Sequence, residues 1–198
     1  MLSEEKPSPS PPGPANKSTI CIGITYLTAR AILLEQGIKK RRRTSMTDVV
    51  SPSVRSRMMA SIRGRDTQPE MMVRKYLHGC GFRYRLHVNS LPGRPDIVLS
   101  KYRVAILIHG CFWHRHSGCK YCTTPASNIE KWSEKFFANV ARDHKNTVQL
   151  RELGWTVIVI WECGLKTGDL VDNLKWLPEV LKSGESGLYE WPRPSNIS

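Results

Sequence analysis

Two rhythms of apolar and polar positions run along the chain from about residue 50 to residue 182. Residues 96–99 (DIVL) and 103–108 (RVAILI) are short apolar runs joined by Ser100-Lys101-Tyr102, which predicts two strands in close succession. WTVIVIW at 155–161 is apolar throughout, the pattern of a strand covered on both faces of a sheet. FRYRLHV at 82–88 alternates and predicts a further strand. Elsewhere helical spacing takes over. Ser51 with Pro52 reads as the start of one helix over SPSVRSRMMASI. Thr67 and Glu70 in TQPE form a capping-box pattern that opens a second, fading at Gly79 and Gly81. Over 128–153, Ile129, Trp132, Phe136, Val140, Leu150 and Leu153 recur near helical spacing, and Gly154 ends that helix. Residues 169–182 predict a last helix that Pro178 bends or breaks. Strands interleaved with helices give a small α/β domain on a mixed sheet.

The first 45 residues do not share these rhythms. Five of the 13 prolines fall in PSPSPPGP, a composition that cannot build a core. The apolar stretch that follows is preceded by Glu4 and Glu5 rather than by basic residues, unlike a signal peptide. Arg30 interrupts it after about a dozen residues, too few to span a bilayer. Residues 1–45 therefore read as a dispensable, disordered extension, with Met46 a candidate true start that intact-mass measurement of native protein would test. Residues 46–165 read as the functional domain, and 166–198 as a C-terminal helix and tail.

Charge narrows the partners. The chain has 198 residues and a formal net charge of +13, and the part beyond residue 45 still holds 22 basic and 14 acidic residues, a net +8. A basic domain of this size calls for a polyanion, with nucleic acid first because Lys and Arg neutralise phosphates. No membrane segment is expected.

Candidate chemistry concentrates in one segment. Cys111, His116 and Cys119, with the distant Cys163, make C-x4-H-x2-C plus one late cysteine, a donor set suited to tetrahedral Zn²⁺. Cys122 stands two residues beyond Cys119 and competes for the place of His116 or Cys163. Cys21 and Cys80 show no partners. Thiols used this way imply a reducing, cytoplasmic setting. Asp96 follows PGRP and begins a strand, where a carboxylate can hold Mg²⁺ against a phosphate, although a turn-capping role is commoner for an isolated Asp. His109 and His114 flank the cysteine loop, and imidazoles there can move protons. Phe112 and Trp113 lie between them, either as core or as a wedge that enters a base stack.

TQPE, LPGRPD, HGCFWHRH, NVARDHKN and ELGWTVIVIWEC, in this order and over roughly 46–165, together resemble the very-short-patch mismatch repair endonuclease family. The resemblance implies a restriction-endonuclease-like α/β/α fold with a zinc-stapled loop. It implies Mg²⁺-dependent nicking of duplex DNA on the 5′ side of the thymine in T:G mismatches left by deamination of 5-methylcytosine. By match of motifs, Asp96 is the metal-binding acid and His114 the histidine that activates water. His109 supports catalysis and Glu70 is the acid behind it. Cys111, His116, Cys119 and Cys163 are the zinc ligands. Met59, Phe112 and Trp113 insert beside the mismatch, with Arg94 also at the DNA. Where some relatives have Thr before the catalytic histidine this chain has Ile108, whose carbonyl can serve the metal equally, and the acidic-x-Lys signature of related nucleases is missing from RVAILIHG. The expected state is a monomer, with downstream DNA repair proteins as further partners.

Two other readings compete. A zinc-stapled module that binds distorted DNA without cutting has no need of Asp96, His109 and His114 together. A restriction endonuclease cutting both strands has no need of an aromatic wedge, since intercalation suits mispaired steps.

Overall fold

A computed structural model describes Ser51, Ser53, Val54, Arg57, residues 64–166 and residues 168–193. The expectations for residues 1–45, Met46 and Met59 lie outside the described residues. At Ser51 the expected cap is present: its hydroxyl accepts the Val54 N–H at 3.3 Å.

From Gln68 onward the elements run α1 (Gln68–Gly79), β1 (Ile97–Leu99), β2 (Val104–His109), α2 (Cys111–His114) and α3 (Ile129–Glu152), then β3 (Thr156–Trp161), α4 (Glu162–Leu165), α5 (Leu170–Leu174), α6 (Trp176–Ser183) and β4 (Leu188–Trp191). The sheet order is β1-β2-β3-β4. β1 pairs antiparallel with β2, while β2–β3 and β3–β4 are parallel, so the sheet is mixed as expected. α3 makes the crossover between β2 and β3, and α4 to α6 make the one between β3 and β4.

The side chains of β2 and β3 divide by parity, because alternate residues point to opposite faces. Val104, Ile106, Ile158 and Ile160 pack with Val73 and Leu77 of α1 and with Leu174, Leu177 and Leu181 of α5 and α6. Ala105, Leu107, Val157 and Val159 pack on the other face with Leu150 of α3 and with Cys111. Helices thus cover both faces, which is why β2 and β3 read as unbroken apolar runs. Each buried Val, Leu or Ile contributes about 1.5–3 kcal/mol. Parity also sends His109 and Trp161 to the α3 face, at the carboxyl ends of their strands.

Two expectations are corrected. Residues 82–88 do not form a strand; only Arg85 bridges to Val98, through two backbone hydrogen bonds of 2.8 Å. The chain turns out of the extended form at His87, whose φ is 46°. The last helix is indeed interrupted, but at Lys175 rather than at Pro178. Pro178 is the third residue of α6, in the first turn, where no N–H is required. β4 was not expected at all; Tyr189 and Trp191 are buried in it, and Trp191 packs against Gly164, where a Cβ would lie 2.4 Å from the indole.

Arg103 joins the start of β2 to the end of α3. With φ 51° it aims its guanidinium at the helix C-terminus, donating to the carbonyls of Leu153 at 2.6 Å and Gly154 at 3.3 Å. No helix among the described residues is long and apolar enough to cross a membrane.

Candidate active site

The site lies where β1 begins and β2 ends. Because β1 and β2 are antiparallel, Asp96 stands just before the residue that pairs with Ile106, and its carboxylate accepts the Ile108 N–H at 2.7 Å. Burial is the main force raising the Asp96 pKa, to about 6, with the Glu70 carboxylate also raising it; the Ile108 N–H, His87 and Arg74 oppose. A half-buried carboxyl held this way is a receptive position for a cation, because a positive charge would relieve its desolvation.

Glu70, expected behind His109, sits with other partners. It pairs with Arg74 at 2.5 Å and lies 4.0 Å from His87, on the Asp96 side of the site. Arg94 is exposed in the loop before Asp96, with φ 48°. Gly93 in that loop has φ 72°, and a Cβ there would lie 2.6–2.9 Å from the Asn146 side chain of α3. We expect Gly93→Ala to destabilise the fold by about 1–3 kcal/mol, lowering the melting temperature by several degrees. An unchanged thermal melt would show that the loop does not depend on this contact.

His109 ends β2 and is buried; His114 ends α2. Their rings stack at 4.1 Å between centroids and 8° between planes. Burial, then the neighbouring His114, lowers the His109 pKa to about 3 against the pull of Asp143, so His109 is neutral at working pH. His114 Nδ1 meets Asp143 Oδ2 at 2.5 Å. Asp143 is the functional candidate that sequence reading missed. It lies inside NVARDHKN, but its pairing with His114 crosses 29 positions and needs the fold.

Beside this site is a second cluster. Cys111, His116, Cys119 and Cys163 bring one ligand atom each to within 4.8 Å of one another, and Cys122 is not among the four. His116 Nδ1 lies 3.3 Å from Cys163 Sγ and 3.7 Å from Cys111 Sγ. Burial raises the thiol pKa of Cys111 and Cys163 and lowers that of the His116 imidazole. Thiols enclosed as Cys111 and Cys163 are become thiolates when a cation offsets their charge, and a neutral imidazole is the form that ligates. The donor set fits a tetrahedral zinc.

Trp161 separates the two clusters, stacking on His116 at 4.2 Å and meeting His109 edge-on at 5.3 Å. Its indole N–H donates to Glu190 of β4 at 2.7 Å, which holds the ring in place. Glu162 accepts the Cys111 N–H at 3.0 Å and pairs with Lys166, so it fastens the start of α2 to the end of β3.

Phe112 and Trp113 are half-buried in an aromatic cluster. Phe112 lies 5.1 Å from Trp113, 5.6 Å from Trp132 and 5.1 Å from Phe136, each edge-on. Trp132 and Phe136, which helical spacing assigned to a buried face, are the backing of this cluster.

The family model described as DNA mismatch endonuclease Vsr matches residues 47–120. The type II nicking enzyme V.NmeAIP of Neisseria meningitidis serogroup A is 49% identical over 121 residues, covering 61% of this chain and 86% of that one. The DNA mismatch endonuclease Vsr of Escherichia coli is 45% identical over 121 residues, covering 61% and 77%. Among solved structures, the catalytic domain of homing endonuclease I-Bth0305I aligns with a TM-score of 0.38 and 20% identity, over 59% of this chain and 94% of that one. With more than three quarters of such sequence relatives covered at close to half identity, the chain belongs to the Vsr family of DNA mismatch endonucleases.

Proposed function

We propose that the protein is a Mg²⁺-dependent endonuclease of restriction-endonuclease-like fold that nicks duplex DNA 5′ of the thymine in a T:G mismatch, with a structural zinc. The observation that carries this reading is a convergence at the end of β2, where Asp96 accepts the Ile108 N–H and the next residue, His109, stacks on His114, itself paired with Asp143 of α3. A non-catalytic binding module would not require that convergence.

Asp96 and the Ile108 carbonyl would hold Mg²⁺, whose charge offsets the negative charge that builds on the phosphate during hydrolysis. Asp143 accepts from His114 Nδ1, which orients the ring and leaves Nε2 to take a proton from the attacking water. His109 is neutral, so it contributes a hydrogen bond to a phosphate or leaving-group oxygen rather than a charge. Cys111, His116, Cys119 and Cys163 would bind zinc and fix the loop that carries Phe112, Trp113 and His114. Those two rings, with Met59 from outside the described residues, would enter the mispaired step, while Arg94 and the basic surface engage phosphates.

Asp143→Asn is expected to lower the single-turnover nicking rate by about 10²–10⁴-fold, the scale of a misoriented general base, with DNA affinity little changed. A rate within a few-fold of wild type would remove Asp143 from the mechanism. The reading as a whole is tested by labelling each strand of a T:G duplex and mapping the cut. A single cut on the 5′ side of the thymine supports it. Cuts in both strands of matched DNA would identify a restriction-type nuclease, and mismatch binding without any cut would identify a binding module.

A further inference from the structure

Glu190 stands in the middle of β4, half-buried, in a kind of position where glutamate is uncommon. Its register opposite Val159 puts it on the α3 face of the sheet, the face that also holds Trp161 and Cys111. There it accepts the Trp161 indole N–H at 2.7 Å. Trp161 in turn lies flat against His116, with 4.2 Å between ring centroids and 7° between planes. His116 turns Nδ1 toward Cys163 and Cys111, at 3.3 Å and 3.7 Å. Its other nitrogen, Nε2, is buried beside the Pro192 carbonyl and makes no well-formed hydrogen bond among the described residues. A metal-ligating imidazole is usually oriented by a hydrogen bond from its second nitrogen. For His116 the stacked indole takes that part, and Glu190 fixes the indole. The same strand end also reaches Cys163. Trp191 packs so closely on Gly164, the next residue, that a Cβ there would lie 2.4 Å from the indole and 2.7 Å from Pro192.

We propose that Glu190 is a positioning residue for zinc: by holding Trp161 flat on His116 it sets the plane of the ligand ring and strengthens retention of the metal. The proposal rests on the reading of Cys111, His116, Cys119 and Cys163 as a zinc site. A ring that is free to turn must give up that freedom each time it ligates, whereas a ring already held between the indole and the thiols does not. Glu190 touches none of the four ligand side chains, so its effect on zinc passes through the indole. The same indole meets His109 edge-on, and the wall that orients the zinc ligand therefore borders the stacked histidines as well.

The test is competition for zinc between the full chain and a chelator of known affinity, under native conditions. Glu190→Ala should weaken zinc binding about 10–100-fold, the scale for losing a group that orients a metal ligand. Glu190→Gln, whose amide oxygen still accepts the indole N–H, should stay within a few-fold of wild type. Trp161→Phe, which has no N–H to offer, should show the loss by itself, and Glu190→Ala should add little in that background. Tyr189→Leu weakens the same strand on its opposite face, so it should lower the melting temperature yet leave zinc affinity near wild type. Wild-type affinity in Glu190→Ala or in Trp161→Phe overturns the proposal. So does a loss in Glu190→Gln or Tyr189→Leu equal to that in Glu190→Ala, or effects that add in the double variant. If Glu190→Ala does not fold, Trp161→Phe and Glu190→Gln decide the matter between them. Folded wild-type protein that contains no zinc overturns the zinc reading itself, and elemental analysis shows this before any residue is changed.

Discussion

Nicking is expected to disappear in Asp96→Ala and in Asp96→Asn, while both proteins still bind mismatched DNA. Asp96 is the carboxylate bonded to the backbone near the end of β2, next to the residue that begins the stacked histidine pair, and it is the group proposed to hold the Mg²⁺ whose charge would offset that on the phosphate. The two substitutions differ in what they do to the fold. Ala leaves the Ile108 N–H without its acceptor, which costs about 1–3 kcal/mol if no water replaces it. Asn keeps an oxygen acceptor and removes the charge. Because burial raises the Asp96 pKa from 3.8 to about 6, the folded protein holds that proton more tightly than the unfolded chain. The wild type therefore loses stability as pH rises from about 4 to about 6, and carries that full cost above 6. Metal-free Asp96→Asn is expected to melt no lower than wild type above pH 6. A rate near wild type in either variant, measured in single turnover, contradicts the assignment of Asp96. An inactive Asp96→Asn that has also lost its circular dichroism signal would place the residue in folding instead.

The second large effect is expected at the proposed zinc site. Cys111→Ser and Cys163→Ser should each release the metal and destabilise the protein by several kcal/mol, since structural zinc binding and folding are linked. Cys111 and Cys163 follow the ends of β2 and β3, so a zinc held between them would tie the two central strands at the place where His109 and Trp161 project. Removing one thiol leaves the other enclosed with no cation to ionise it, and burial then keeps it protonated. Cys122→Ser should retain one zinc per chain, because Cys122 is outside the group of four. Elemental analysis with thermal melting reads both quantities. Folded wild-type protein without zinc, or a Cys122 variant that loses it, contradicts this ligand set.

How much of this was readable in the sequence depended on how local each signal is. β2 and β3 declared themselves because strands covered on both faces are apolar throughout, and α3 because its 24 residues repeat at helical spacing between an acidic start and Gly154. FRYRLHV alternates like a strand, yet its alternation comes from Phe82 and Tyr84 turning inward toward Tyr102 and the Arg74 carbonyl, with a single bridge to β1. β4 is only four residues long with Glu190 in its middle, and it is a strand because β3 offers it an edge. At the site, the cysteine and histidine spacing offered three ligands in one loop with Cys163 as a fourth, left Cys122 as a competitor, and only the family resemblance implied the set of four. Asp143 could not be found that way. Helix α3 carries other charged residues along its length, and what singles out Asp143 is the His114 ring packed against it. Glu70, which the motif match set behind His109, pairs with Arg74 and raises the pKa of Asp96, contacts that no local pattern announces.

The central claim is a metal-dependent cut directed by a mispair, and one measurement reaches it most directly. Purified protein is incubated in single turnover with duplexes identical except for T:G, C:G or T:A at one position, each with Mg²⁺ and with chelator. The account predicts a nick in the thymine strand of the T:G duplex, only with Mg²⁺, and at most traces elsewhere. Equal cutting of all three duplexes, or cutting of T:G that persists in chelator, would contradict it.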